Sequence, residues 1–409
     1  TDELREKLRE VNHRLNKQGM RVLTVAIKRD AHAEAVYTVE DEQDMIMIGF
    51  MGFLDPAKES AKTAIASLHG HGVNVKVLTG DNAIVAQKVC KDVGIEVNDY
   101  LLGIDVDRLS DEELAEKAEA VNLFAKLNPM QKSRIIQSLQ ADGHTVGFMG
   151  DGINDAPALR AADVGISVDT AADITKDASS IILLEKSLNV LDKGVIEGRK
   201  VFTNMMKYIK MTLSSNFGNV FSILVASAFL PFLPMLSIQL LVQNLVYDMA
   251  QLTIPWDNVD VEELEKPVKW QVRGLLKFTV SIGPVSSIFD ILTFFVMWHV
   301  FQANAIQEQA LFQAGWFMIG LVTQTLVVHM VRTRKLPFFQ SIASPAVLLS
   351  SVLAILVGFG IILSPLHTVF DFAALPSSYW PWFVGIILAY LVSVEVAKRI
   401  YIHYTKEWI

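Results

Sequence analysis

The sequence predicts a doubly wound α/β domain followed by an all-α bundle of transmembrane helices. Between residues 56 and 185, helical patterns alternate with short apolar runs, as they do in parallel sheets that helices cover on both faces. After residue 200, apolar segments of about 20 residues recur, which is the length that crosses a bilayer. The chain is 51% hydrophobic with a mean hydropathy of +0.34, too apolar for an ordinary soluble protein.

Residues 1–54 predict a smaller α+β unit that carries no catalytic pattern. The apolar residues recur at helical spacing up to about residue 15, and Gly19 follows as a plausible helix end. Apolar runs at 21–28 and 45–50 then predict two strands. Any generic α+β fragment would explain these residues equally well.

The most informative stretch is GFMGDGINDAPAL at residues 147–159, which predicts a strand, a tight turn and a helix. Gly150 and Gly152 allow a sharp turn at the carboxyl end of the strand. The turn and the helix carry two carboxylates and an amide: Asp151, Asp155 and Asn154. Such oxygen ligands suit Mg²⁺ beside a phosphate. The alternative is an acidic helix N-terminus that the helix dipole favours.

Three further motifs precede this stretch. They are Asp55-Pro56-Ala57-Lys58, Thr79-Gly80-Asp81 and Asn128-Pro129-Met130-Gln131-Lys132. Thr79 and Asp151 follow predicted strands, and Lys132 lies just inside a helix that follows another. The carboxyl ends of parallel strands meet at one edge of a sheet, so these residues should converge on one crevice. Taken singly, Thr79-Gly80-Asp81 could equally be a plain turn, and Lys132 could equally be a surface lysine.

Together, the four motifs in this order resemble those of the P-type ATPases, cation pumps with a haloacid-dehalogenase-like phosphorylation domain. The resemblance implies that Asp151 holds a catalytic Mg²⁺ ion, with Asp155 contributing to the metal shell. It implies that Thr79 and Lys132 contact the phosphoryl group, and that Asn154 and Asp155 orient Lys132 or the attacking water. Gly80 belongs to the same loop as Thr79. The implied nucleotide contacts are Asp81, Gly150 and Gly152, so the cofactors are ATP and Mg²⁺.

The resemblance also divides the chain and reveals a missing residue. It makes residues 1–54 the C-terminal part of a nucleotide-binding domain, 55–190 the phosphorylation domain, and 191–409 a stalk and six transmembrane helices. The nucleophile of the family is an Asp in an Asp-Lys-Thr-Gly motif, which does not occur in this sequence. We therefore expect the nucleophile and the first strand of the domain upstream, in the N-terminal half of the same pump.

The predicted spans define an orientation. A long helix at 185–210 continues into the first span at 211–230, and five more follow near 235–255, 277–301, 311–331, 344–364 and 379–398. The loops near 231–234, 302–310 and 365–378 contain no Lys or Arg. Basic residues lie in the opposite loops: Lys266, Lys269, Arg273, Lys277, Arg332, Arg334, Lys335, Lys398 and Arg399. The positive-inside rule places these loops, the soluble domain and the C-terminus in the cytoplasm. Trp298, Trp316, Trp380 and Trp382 would then line the outer interface.

Polar residues within spans are costly and often functional. The resemblance assigns Asn216 and Asn219 on the first span, and Asn244 and Asp248 on the second, to the transported ion. Three amides and one carboxylate suit Mg²⁺, which retains some of its waters, better than a stripped Ca²⁺. Hydrogen bonding between helices is the alternative. Asp290 is predicted either to line the ion pathway or to join helices, while Glu395 should pair with Lys398 and Arg399.

Composition excludes some functions. The net charge of −8 gives no reason to expect nucleic-acid binding, and the lone Cys90 excludes an intrachain disulfide. The segments SSNFGNVFSILVASAFLP and QNLVYDMAQLTIPWDNVD resemble the bacterial magnesium-transporting branch of the family. This resemblance implies a piece of a multi-pass magnesium pump of the bacterial plasma membrane that imports Mg²⁺ through an aspartyl-phosphate. Its other partners are membrane lipids. The alternatives are a P-type pump for Ca²⁺ or H⁺, or a non-catalytic truncated membrane scaffold.

Overall fold

The computed structural model describes residues 2–29, 38–54, 56–265, 267, 272–406 and 408. The chain divides into two compact units, residues 1–195 and 196–409. Three residues from the sequence predictions, Asp55, Lys266 and Lys269, lie outside the described residues. The helix α9 (Leu188–Ser227) is continuous across the boundary between the units, as the stalk pattern predicts.

The first unit begins with a helix and two antiparallel strands, in the predicted order. These are α1 (Asp2–Lys17), β1 (Met20–Ile27) and β2 (Ile46–Leu54). Met20 pairs with Leu54 at one end of the ladder and Ile27 with Ile46 at the other. Many apolar side chains of both strands remain exposed, so this two-stranded sheet has an uncovered face.

From residue 59 to residue 183 the chain alternates helices and short parallel strands, which confirms the predicted class. The elements are α2 (Glu59–Gly70), β3 (Val77–Leu78), α3 (Ala83–Val93), β4 (Tyr100–Leu102), α4 (Gly103–Arg108), α5 (Asp111–Ala120), β5 (Leu123–Ala125), α6 (Pro129–Ala141), β6 (Gly147–Met149), α7 (Ala156–Ala161), β7 (Val164–Val168), α8 (Asp173–Asp177) and β8 (Ile181–Leu183). The sequence did not predict β4, α4 or α8.

The strands form two parallel three-stranded sheets instead of one continuous sheet. Their orders are β3-β5-β4 and β6-β7-β8, so β3 and β6 are both edge strands among the described residues. The two cores nevertheless meet, because Leu78 of β3 and Val146 before β6 each pack against both of them. No ladder joins the two sheets among the described residues.

The apolar run at residues 73–78 predicts a strand, but the strand that forms there, β3, is shorter. The Val73 N–H donates to the Leu68 carbonyl, so this backbone still completes the turn that leaves α2. Lys76 Nζ donates to the carbonyls of Glu119 and Val121. These carbonyls therefore bond to a side chain, whereas in a strand ladder they would bond to backbone N–H groups. Only Val77 and Leu78 then pair with β5.

The second unit is a helical bundle. It comprises most of α9, then α10 (Ser237–Gln251), α11 (Val261–Leu264), α12 (Val272–His299), α13 (Gln309–Val331), α14 (Pro345–Leu363) and α15 (Tyr379–Thr405). In the described part of the chain, four helices are long and apolar enough to cross a membrane: α12, α13 with the turn before it, α14 and α15.

The helices α9 and α10 are not among these four, so the first two of the six predicted spans stay predictions. With 15 residues, α10 is about 22 Å long, shorter than the ~30 Å hydrocarbon core of a bilayer. The membrane-side half of α9 is long enough, but serines and asparagines interrupt its apolar character.

The helix α13 lies at the centre of the bundle. It contacts α10, α12, α14 and α15, and 83% of its most apolar 18-residue segment is buried inside the protein. Trp316 on α13 is only 4% exposed, so its predicted place in an outer aromatic belt was wrong. At Gly320 a Cβ atom would lie 2.6 Å from Gln243 Nε2 of α10, so glycine allows these helices to approach closely.

A buried ionic cluster joins four segments of the bundle. Asp257 Oδ2 lies 3.1 Å from Lys207 Nζ of α9 and 2.7 Å from Arg332 Nε at the end of α13. The Ser344 N–H donates to Asp257 Oδ1 at 3.1 Å. The charged side chains are at most 2% exposed, so water does not solvate them. Each charge is instead stabilised by the opposite charges beside it.

Two further carboxylates lie close to this cluster. Asp260 accepts hydrogen bonds from the hydroxyls of Thr333 and Ser341. Burial raises the pKa of Glu263 to about 7, against the lowering effect of Lys207. Glu263 therefore contributes less negative charge to the cluster near neutral pH than Asp257, whose pKa its cationic partners lower.

We expect Asp257→Asn to destabilise the protein by about 3–5 kcal/mol, because the amide leaves Lys207 and Arg332 buried without their counter-charge. The free energy of unfolding of the purified protein measures this loss. The control is Glu262→Gln, which breaks an exposed pair with Lys335 and should change the stability little. Equal effects of the two changes would contradict the proposed importance of the cluster.

The same cluster predicts a pH dependence. Burial tends to raise the pKa of Asp257, but Lys207 and Arg332 outweigh it and hold that pKa below its ordinary value. The resulting stabilisation is present above the pKa of the unfolded state and is lost as the pH falls through the folded-state pKa. Unfolding measured below about pH 4 should therefore show a loss of stability that Asp257→Asn lacks.

Candidate functional site

The turn after β6 is held by hydrogen bonds from its neighbours. The Gly150 N–H donates to the Ile166 carbonyl of β7, and the Ser167 hydroxyl donates to the Gly150 carbonyl at 2.9 Å. The Thr175 hydroxyl of α8 donates to the Gly152 carbonyl at 3.1 Å. The backbone at the carboxyl end of β6 is thus fixed before any ligand arrives.

Glycine is required at the first position of this turn because Asp155 folds back over it. A Cβ atom at Gly150 would lie 2.8 Å from both Cβ and Oδ2 of Asp155. The Gly152 N–H donates to Asp155 Oδ2 at 3.3 Å, which orients the carboxylate. Its other oxygen remains for a partner from another element.

That partner is Lys132. Asn128 caps α6 by accepting from the Gln131 N–H, and Pro129 occupies the first turn, so Lys132 lies just inside a well-defined helix start. Lys132 Nζ lies 2.7 Å from Asp155 Oδ1, and the two side chains are 13% and 15% exposed. The pair is therefore largely shielded from water and fixes the ammonium group beside the turn.

The Thr79 loop is anchored to the segment that leads into α6. The Thr79 N–H donates to the Phe124 carbonyl, and the Leu127 N–H donates to the Thr79 carbonyl. Thr79 Oγ1 accepts from the Asp81 N–H at 3.1 Å. Asp81 Oδ1 also lies 2.6 Å from Arg21 of β1, which ties the loop to the first two strands. Gly80 lies between Thr79 and Asp81 in sequence, and a Cβ atom added to it would lie 3.4 Å from the Leu127 carbonyl oxygen.

Asp151 and Asn154 are exposed on the open side of the turn. Asp151 pairs with Lys186, and both side chains are more than half exposed, so an incoming cation could displace the lysine. Two carboxylates at one turn are a suitable oxygen donor set for Mg²⁺. Asp151 is the more accessible ligand, because Asp155 is already engaged by Lys132.

The four residues predicted to bind the transported ion differ in their burial. Asn219 is half-buried in the bundle, and its Oδ1 accepts from Gln324 Nε2 of α13 at 2.7 Å. Asn216, Asn244 and Asp248 are exposed. That these four residues bind the transported ion stays a prediction.

Sequence reasoning missed several polar residues that the structure groups together. Gln324 contacts Asn219, while Ser222 and Trp316 both donate to Asp290. Gln324 could have been noticed as an amide within an apolar span. Glu395 does pair with Lys398 at 2.7 Å and with Arg399 at 2.9 Å, as predicted.

Comparison with known proteins identifies both units. Residues 2–163 match the haloacid dehalogenase-like hydrolase family, and residues 232–400 match the family described as cation transporting ATPase, C-terminus. One chain thus combines a haloacid dehalogenase-like α/β unit with the membrane region of a cation ATPase. This combination defines the class of protein. The chain belongs to the P-type cation ATPases and is embedded in a membrane.

Among its curated relatives are two bacterial proteins named magnesium-transporting ATPase, P-type 1. Those of Escherichia coli K12 and Salmonella typhimurium LT2 are each 54% identical over 400 residues, which is 98% of this chain and 44% of each relative. A calcium-transporting ATPase of Bacillus subtilis is 28% identical over 398 residues, 94% of this chain and 44% of the relative. The chain thus spans less than half the length of these relatives.

We expect Gly150→Ala to destabilise the protein by about 1–3 kcal/mol, because the new methyl group must displace Asp155 and with it the contact to Lys132. Gly194→Ala is the control. It lies in α9 with nothing within 4 Å of the added Cβ, so it should stabilise the helix by about 0.5–1 kcal/mol. Thermal unfolding of the two variants should shift in opposite directions, and a shift of the same sign would contradict this account of the turn.

Proposed function

We propose that this chain is part of an ATP-driven pump that carries Mg²⁺ across the plasma membrane. The observation that carries the proposal is the Lys132–Asp155 pair beside Asp151, at the carboxyl end of β6, in a chain that also contains a bundle of apolar helices. A site of this kind suits phosphoryl transfer, and the bundle suits ion transport. The names of the relatives at 54% identity supply the cation.

In the proposed site, each group acts on the charge of a phosphoryl group. Lys132 would neutralise it, and Thr79 would donate a hydrogen bond to one of its oxygens. Asp155 and Asn154 would keep Lys132 and an attacking water in position. Asp151 would hold Mg²⁺, which when bound would screen the phosphate charge. Asp81 and the backbone at Gly80, Gly150 and Gly152 would contact the bound nucleotide.

The phosphorylated residue itself would come from an upstream half of the same pump. Both β3 and β6 lack a partner on one side among the described residues, and their cores meet at Leu78 and Val146. A strand between them would complete one parallel sheet. We propose that this strand ends in the nucleophilic Asp, directly between the Thr79 loop and the Asp151 turn.

The transported Mg²⁺ would bind at Asn216, Asn219, Asn244 and Asp248. Asn244 and Asp248 lie one helical turn apart on α10, so both can face one ion. Their exposure supports a site that upstream helices complete. Neutral amides with one carboxylate leave room for retained waters, as Mg²⁺ prefers.

We propose import, with the soluble unit and the C-terminus in the cytoplasm. Arg334, Lys335 and Arg399 support this orientation through the positive-inside rule. Arg332 and Lys398 support it less, because both are buried and serve in ion pairs.

The test is uptake of isotopic Mg²⁺ by vesicles that contain the full-length pump. Asp151→Asn should abolish both uptake and ATP hydrolysis, because the catalytic cation loses its ligand. Asp248→Asn should reduce uptake at least tenfold and leave phosphorylation from ATP intact, because only the transport site is changed. Normal transport by the Asp248→Asn variant would overturn the ion site.

The matched control is Asp371→Asn, the same chemical change at an exposed loop position of the same unit. Asp371 has a left-handed backbone with φ of 56°, which asparagine adopts readily. This variant should transport at the wild-type rate. A loss of uptake here would mean that any carboxylate change in this unit impairs the pump.

A further inference from the structure

Three side chains that can ligate a metal meet on the surface of the first unit, away from the Asp151 turn. They are Glu119 near the end of α5, Asp142 directly after α6, and His144 in the turn that leads to β6. One ligand atom from each residue lies within 4.8 Å of the other two. Lys132 lies at the opposite end of α6, which is about 20 Å long, so this cluster is separate from the phosphoryl-transfer residues.

The spacing of the three ligand atoms is close to that of a metal coordination shell. His144 Nε2 lies 2.9 Å from Glu119 Oε2 and 3.6 Å from Asp142 Oδ2. Zn²⁺ binds nitrogen and oxygen ligands at about 2.0–2.2 Å, which places tetrahedral ligands about 3.3–3.6 Å from one another. Small rotations of these side chains therefore suffice to surround one ion.

The backbone that carries these ligands is held by the fold itself. The His144 N–H donates to the Leu139 carbonyl of α6, which closes the turn after this helix. Lys76 Nζ donates to the Glu119 carbonyl at 2.8 Å, and α5 and α6 share one hydrophobic core. Binding of a metal would therefore order only three exposed side chains, which keeps its entropic cost low.

The charges of this surface favour a divalent cation. Glu119 and Asp142 lie at the C-terminal ends of helices, where the helix dipole disfavours carboxylates and favours cations. Among the described residues, neither carboxylate forms an ion pair with Lys or Arg, because the nearby Lys76 donates to backbone carbonyls. A protonated His144 would balance one of the two negative charges, whereas a divalent cation balances both.

We propose that Glu119, Asp142 and His144 bind one divalent transition-metal ion of the Zn²⁺ type. The imidazole nitrogen selects such an ion over Mg²⁺, which prefers oxygen ligands. The side chains are about half exposed, so water can occupy the remaining coordination positions. The bound ion would clamp the end of α5 to the end of α6. This site is independent of the proposed transport of Mg²⁺.

The test is equilibrium binding of Zn²⁺ to the purified full-length protein in excess Mg²⁺. His144→Ala should bind one Zn²⁺ fewer per chain, or bind it about 10- to 100-fold more weakly, because loss of a ligand costs at least as much as loss of a group that orients one. The matched control is His13→Ala, at an exposed position of α1 outside the cluster, which should bind Zn²⁺ as the wild type does. Equal binding by the wild type and His144→Ala would overturn the site.

A thiol at the same position provides a second readout. His144→Cys keeps a metal ligand, so with Co²⁺ in place of Zn²⁺ it should show the absorption band of a cobalt–thiolate bond, which the wild-type cluster lacks. His13→Cys places an exposed thiol outside the cluster and should lack the band, and Cys90 is too buried to compete. Absence of the band from His144→Cys would overturn the proposal and leave the cluster as a surface ion pair.

Discussion

A charge removed from water must meet an opposite charge or directed hydrogen bonds, and this requirement organises both units. In the first unit, Lys132 and Asp155 compensate each other beside the turn after β6. In the second, Asp257 compensates Lys207 and Arg332, which come from helices far apart in sequence. Among the described residues, Asp290 accepts hydrogen bonds only from a hydroxyl and an indole N–H. Two of these three carboxylates are thus matched by charge, and the third is held by neutral donors.

The parts of the fold that the sequence predicted are those that local patterns control. Asn128 and Pro129 mark the start of α6, and the apolar run at 164–168 is β7. The two glycines after β6 predict the turn, and the structure shows why one of them is needed. The order of the motifs, more than any single motif, identified the class of protein.

The parts that the sequence did not predict depend on contacts distant in sequence. No sequence feature near Val73 indicates that its N–H donates to the Leu68 carbonyl of α2. The sequence therefore predicts a longer strand than the β3 that forms. Trp316 has the flanking position of an interfacial tryptophan, but Asp290 on another helix holds it inside. The two sheets could not be foreseen as separate, because pairing between β3 and β6 depends on what lies between them.

The central position of α13 has a consequence for how the protein is made. A helix whose surface meets other helices instead of acyl chains can carry Gln313, Thr323 and Gln324, all of which are buried by protein. When α13 enters the bilayer, those same side chains face lipid unless another helix covers them, and α10 and α12 precede α13 in the chain. Insertion of α13 should therefore be coupled to its packing against these two helices.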